Sequence, residues 1–136
     1  MKFADTSWWV AWSLPDDSRH GEALAALHAI RPTEQVLTTN LVVGETWTYL
    51  GRKARHATAV GYLDRIDQLT SAGRLRVHRV SESEEAAAWR WLRRHDEREY
   101  SFVDATSFET MRSRRLREAL AFDHDFSVAG FVELGG

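Results

Sequence analysis

The chain predicts an α/β fold of three layers, α/β/α, around a mostly parallel sheet of roughly five strands. Three observations carry this. Short apolar or β-branched runs alternate with longer segments of helical period along the whole length. Acidic residues recur just after predicted strands and in the first turns of predicted helices. Glycine and proline, at 8 and 2 of 136 residues, are too few to make a linker, so one domain over 1–136 is expected. Strands alternating with helices form a parallel sheet covered on both faces. Ligands then gather beyond the carboxyl ends of its strands.

The elements follow in order. Met1 to Ala4 reads as a short buried strand ending at Asp5. After Thr6 and Ser7, the residues Trp8, Trp9, Val10, Ala11, Trp12 and Leu14 make an apolar helix that stops near Pro15. Asp16, Asp17 and Ser18 offer caps for a second helix through Ile30, with Ala23, Leu24, Leu27 and Ile30 on one face. Gln35 to Thr38 is the second strand. Thr39-Asn40 is a cap signal for a helix from Leu41 to about Arg52, which places Glu45 just over a turn from its start. A helix over His56–Ser71 closes at Ala72-Gly73. Leu75, Val77 and Val80 alternate as the third strand. Ser81-Glu82-Ser83-Glu84 has the form of a capping box for a helix through about Arg94. The stretch from Ser101 to Phe108 puts Asp104 where the next helix begins, and that helix runs to about Leu116. Ala119 to Phe122 is the fourth strand, ending at Asp123-His124-Asp125, and Phe131 to Leu134 is the fifth.

Composition excludes several chemistries. With no cysteine, there is no disulfide, thiolate zinc site or cysteine nucleophile. A net charge of −2 does not mark a bulk nucleic-acid binder. No apolar run reaches membrane-spanning length and no secretory signal is visible, so a cytoplasmic protein with no membrane partner is expected. The basic residues are nearly all arginine, whose forked donors suit phosphate. Two groups stand out: Arg52, Lys53 and Arg55, and Arg112, Arg114, Arg115 and Arg117. Each is either a solvated helix face or a phosphate contact, and Arg112, Arg114 and Arg115 are the candidates for RNA. Trp8, Trp9 and Trp12 are too many large rings for one helix to bury against a small core, so part of that helix is expected at a protein–protein surface.

In a parallel sheet Asp5, Glu45, Asp104 and Asp123 fall on one rim. Any one of them has an ordinary explanation as a cap, a turn former or a solvated helix residue. Together they would repel one another unless a cation joined them. An all-oxygen set suits a hard ion, Mg²⁺ or Mn²⁺. Such an ion lowers the pKa of a bound water and clamps phosphate oxygens, so phosphodiester hydrolysis is its natural use.

Four segments carry a resemblance: Phe3-Ala4-Asp5-Thr6-Ser7, Thr38-Thr39-Asn40-Leu41-Val42-Val43-Gly44-Glu45, Tyr100-Ser101-Phe102-Val103-Asp104-Ala105-Thr106-Ser107-Phe108, and Ala121-Phe122-Asp123-His124-Asp125-Phe126. In this order and spacing the chain resembles PIN-domain ribonucleases, and within them the VapC toxins of bacterial toxin–antitoxin pairs. The resemblance implies a PIN-like fold and a Mg²⁺- or Mn²⁺-dependent endoribonuclease that inhibits translation and growth. It implies Asp5, Glu45, Asp104 and Asp123 as the acidic quartet, with Asp125 as an alternative or additional metal ligand. It assigns Thr6 to support of the first aspartate and Ser107 to the polar position one turn past Asp104. It also implies a homodimer restrained by a VapB-type antitoxin lying in the acidic cleft and a neighbouring apolar groove. The rival reading is a catalytically inactive member of the fold that serves protein association.

Overall fold

Five strands and seven helices alternate along residues 1–135, the residues that the computed structural model describes; Gly136, the last residue of the expected domain, lies outside them. They are β1 (Lys2–Ala4), α1 (Thr6–Ser13), α2 (His20–Ala29), β2 (Val36–Thr39), α3 (Asn40–Lys53), α4 (His56–Ser71), β3 (Leu75–His78), α5 (Glu82–Arg94), α6 (Phe102–Ser113), β4 (Glu118–Leu120), α7 (Asp125–Val128) and β5 (Val132–Leu134). The sheet runs β3-β2-β1-β4-β5 and every pairing is parallel. The chain starts in the middle, steps outward to β3, then crosses back over the sheet to β4. Right-handed crossovers therefore place α1 to α4 on one face and α5 to α7 on the other. Among the described residues no helix is long and apolar enough to cross a membrane.

The core divides in the same way. On one face Trp8, Trp9 and Trp12 pack edge-on or stacked at 4.8–6.0 Å between ring centres, with Tyr62 of α4 against Trp9. On the other, Phe108 of α6 meets Trp91, Tyr100, Phe126 and Phe131. The expectation that α1 leaves tryptophan at a protein–protein surface is wrong: Trp8 and Trp9 are fully buried and Trp12 is 3% exposed. Helix α1 packs against α2 and α3, while Trp9 meets Tyr62 of α4 and Thr38 of β2, so consecutive positions are buried all round the helix. The Arg65 guanidinium closes the last side, 3.5 Å above the Trp12 ring.

Other boundaries shift for local reasons. The third strand stops at His78 because the Val80 N–H is taken by the Asn40 side chain at 2.9 Å. Asn40 is thus the first residue of α3, and Thr39 is its cap, accepting from the Val42 N–H. The fourth strand ends at Leu120, and the sequence reading contained no counterpart of the single-turn α7.

Candidate active site

The cleft forms where the strand order reverses. β1 and β4 lie side by side in the sheet, with Ala4 opposite Leu120, yet the chain leaves them toward opposite faces. Their exits diverge and open a crevice beyond the strand ends. Asp5 stands at the end of β1, its N–H bonded to the Leu120 carbonyl at 3.0 Å, and Asp123 follows β4. Asp104 enters from the first turn of α6. One carboxylate oxygen from each of Asp5, Asp104 and Asp123 lies within 4.8 Å of the others. Thr6, Ser7, Glu45, Tyr49 and Ser101 help line the hollow above them, about 380 Å³ in volume.

Each carboxylate is held by local backbone chemistry. Asp5 is the N-cap of α1, and its Oδ2 accepts from the Ser7 N–H at 3.2 Å and the Ser7 hydroxyl at 2.8 Å. The Phe122 N–H donates to the same Ser7 oxygen at 3.1 Å, which ties the exit of β4 to the first aspartate. Asp104 is not the cap of α6 but its third residue. It forms a capping box with Ser101: Ser101 Oγ accepts from the Asp104 N–H at 2.9 Å, and Asp104 Oδ2 accepts from the Ser101 N–H at 3.0 Å. Asp123 Oδ1 accepts from the Asp125 N–H at 3.2 Å.

Glu45 lines the same hollow from the second turn of α3, outside the close trio, and Thr6 Oγ1 donates to its Oε1 at 2.6 Å. The two adjacent hydroxyls therefore divide the work otherwise than expected: Ser7 holds Asp5, and Thr6 holds Glu45. Asp125 does not join the trio. Its Oδ1 accepts from Arg98 Nε at 2.8 Å, while the same guanidinium reaches the Asp123 carbonyl at 3.3 Å. Ser107 is fully buried one turn beyond Asp104, and its hydroxyl has no partner among the described residues.

The trio is electrostatically unstable as three charges. Burial pushes the Asp5 carboxyl well above the usual range, and Asp123 and Asp104 push it further. Burial likewise raises Asp104 to about 6, with Asp125 and Asp123 adding to the rise against the Ser101 hydrogen bond. Asp123 is raised by burial and by Asp125. Without a counter-charge the trio retains protons at a pH where free aspartate has lost them. A hard divalent cation fits: the donors are all oxygen, close together and half-prepared by N–H and hydroxyl groups that fix their orientation.

The sequence profile of the family described as "PIN domain" matches residues 2–132. This chain belongs to the PIN-domain family. It is 49% identical over 134 residues to the "23S rRNA-specific endonuclease VapC20" of Mycobacterium tuberculosis, in strains CDC 1551 / Oshkosh and ATCC 25618 / H37Rv, with 98% of each chain covered. The crystal structure of M. tuberculosis VapC20, described as a sarcin-ricin loop cleaving toxin, superposes with a TM-score of 0.88 at 47% identity over 98% of both chains. FitAcB from Neisseria gonorrhoeae shares the fold, with a TM-score of 0.69 at 19% identity over 98% of this chain and 95% of that one.

In this PIN domain the arginines expected at RNA lie away from the cleft. Arg112 stands in the last turn of α6, roughly 12 Å along its axis from Asp104, and Arg114 and Arg115 follow at and beyond the helix end. Arg112 pairs with Glu109 at 2.8 Å, and Arg114 donates to His78 Nδ1 at 3.0 Å. Sequence reasoning assigned no role to Ser101 or Tyr49 and gave Ser7's to its neighbour. The Ser-x-x-Asp spacing from Ser101 to Asp104 is a capping-box pattern and could have identified the first of these.

Proposed function

We propose that this chain is an endoribonuclease toxin of the VapC type, dependent on Mg²⁺ or Mn²⁺, that cuts RNA in the cleft between β1 and β4. The convergence of three mutually repelling aspartates, Asp5 and Asp104 buried and Asp123 half-buried, at the point where the strand order reverses carries the reading. Asp5, Asp104 and Asp123 would hold the ion, with Glu45 completing the oxygen set from the rim and Asp125 tied to Arg98 behind them. When bound, the ion supplies an activated water and stabilises charge on the scissile phosphate. The protein's own contribution is orientation. Ser7 fixes one Asp5 oxygen, Ser101 fixes one Asp104 oxygen, and Thr6 turns Glu45 into the hollow. Each carboxylate so held has less side-chain entropy to lose when an ion binds.

By its likeness to VapC20, the substrate proposed is ribosomal RNA of the sarcin–ricin loop class. Likeness to the VapC toxins supports a VapB-type antitoxin as partner and a homodimer as the acting form. The test is cleavage of purified ribosomal RNA with Mg²⁺, with Mn²⁺ and with chelator. The parent should cut at one site only when metal is present. Asp104→Asn, which removes a charge and almost no volume, should lose at least about a hundredfold in rate. Cutting by Asp104→Asn at the parental rate would refute the assignment.

A further inference from the structure

The exposed side of α3 continues the cleft. Thr48 and Tyr49 stand three and four residues after Glu45, and Arg52 and Lys53 three and four after Tyr49, so the five form a single stripe along the helix. They line a second hollow of about 480 Å³, which shares Glu45 and Tyr49 with the acidic one. Tyr49 is 43% exposed at the junction of the two. Arg52 and Lys53 are exposed, and neither makes a salt bridge among the described residues. Glu45 to Arg52 spans roughly 10 Å along the helix axis, the reach of a nucleotide or two.

We propose that this stripe is the track that holds the unpaired RNA strand as it leaves the acidic cleft, with the Tyr49 ring stacking on a base and Arg52 and Lys53 contacting phosphates. The inference rests on the endoribonuclease reading above and adds binding residues to it. An acidic centre repels the polyanion it must cut, so the chain needs uncommitted cations close by, and these two lie in the adjoining hollow. RNA loops present splayed bases that aromatic rings hold by stacking, with little regard to sequence. The track ends at Lys53, because the next hollow carries Asp16 and Asp17 beside it. A second copy of the chain fits this face poorly. Two-fold packing centred on this stripe would set Arg52 and Lys53 close to their own counterparts, and Tyr49 is the sole large exposed hydrophobic residue of the stripe.

The test uses a labelled RNA hairpin of sarcin–ricin loop sequence. Binding is followed by anisotropy across a salt series with Asp104→Asn protein, which leaves the RNA uncut, with and without Arg52→Gln and Lys53→Gln. The double charge change should weaken binding and flatten the slope of log affinity against log salt by about 0.7 per cation removed. Cleavage kinetics are then read with Asp104 intact. Tyr49→Ala should raise KM roughly five- to hundredfold with kcat unchanged, and Tyr49→Phe should restore the parental KM. Unchanged affinity and salt slope in the charge variant would overturn the track even while the parent cuts normally. So would a parental dimer that falls to monomer in light scattering when Arg52 and Lys53 are replaced, since the face would then join copies of the chain. If the hairpin binds through these residues but the parent never cuts it in Mg²⁺ or Mn²⁺, the nuclease reading fails and the track stands.

Discussion

Asp104 closes the capping box of α6 with one oxygen and faces two other carboxylates with the rest of its charge. Both roles follow from its place three residues after Ser101. Its carboxyl holds a proton up to about 6 in the folded chain, against 3.8 for the ordinary group. Between those values the folded state binds more protons than the unfolded one, so stability falls as pH rises. The stabilising contribution is whole below about pH 4 and lost above about pH 6, at about 1.4 kcal/mol per pKa unit. Asp5 and Asp123, raised in the same sense, extend the loss. Urea unfolding of metal-free protein from pH 4 to pH 7 should show this decline, and Asp104→Asn should flatten it. A parent that gains stability over the same range contradicts the raised values. The hydroxyl pair gives a second prediction. Ser7→Ala strands the Phe122 N–H and leaves Asp5 Oδ2 with only the Ser7 N–H, and should cost about 1–3 kcal/mol as well as cleavage rate. Thr6→Val frees only Glu45, and should cost at most about 1.5 kcal/mol. Chemical unfolding of the two variants side by side checks the order.

At the scale of elements, α1 and α5 make opposite use of tryptophan. Trp12 is buried between covering elements and under Arg65, so Trp12→Ala leaves a cavity and should lose about 3–5 kcal/mol. Trp89 is 51% exposed on α5, where its ring stacks on Phe102 at 4.2 Å. Removing it should cost only the aromatic pair, about 0.5–1.5 kcal/mol. Equal losses in urea unfolding would mean that α1 is less enclosed than the packing indicates. Helix α6 shows how an element serves the site and the core together. Its N-terminal turn presents Asp104 to the cleft, while Phe108 one turn later anchors the aromatic cluster beneath.

For the whole molecule, the path of the chain decides the site. Asp5 and Asp123 meet because the sheet is filled outward from β1 in both directions, and α6 brings Asp104 over the gap. The metal-free fold carries their repulsion. A cation that binds only the folded state stabilises by mass action, about 2.7 kcal/mol at a hundredfold excess over Kd, or roughly 8–10 °C in melting temperature for a chain of this length. Asp5→Asn should melt higher than the parent in chelator and gain less from Mg²⁺ or Mn²⁺. Thermal unfolding of both proteins with and without metal tests this. A parent indifferent to metal, with a variant that melts lower in both conditions, would make the aspartates purely structural.

The sequence by itself determined the alternation of elements, the parallel sheet, and the acids that end strands or open helices. Local periodicity and cap chemistry encode those features within a turn or two of the residues concerned. Even the roles of Ser7 and Ser101 were within reach, because an N-cap carboxylate accepts from the second helical N–H and a capping box spans three residues. Tertiary structure alone decided which acids meet. Asp123 belongs to the trio and Asp125 does not because Arg98, distant in sequence, takes the Asp125 carboxylate. It also decided that three tryptophans on one short helix are all buried, since that depends on how many neighbours cover the helix. Contacts of this kind join residues that no local pattern relates, and only the packing of whole elements brings them together.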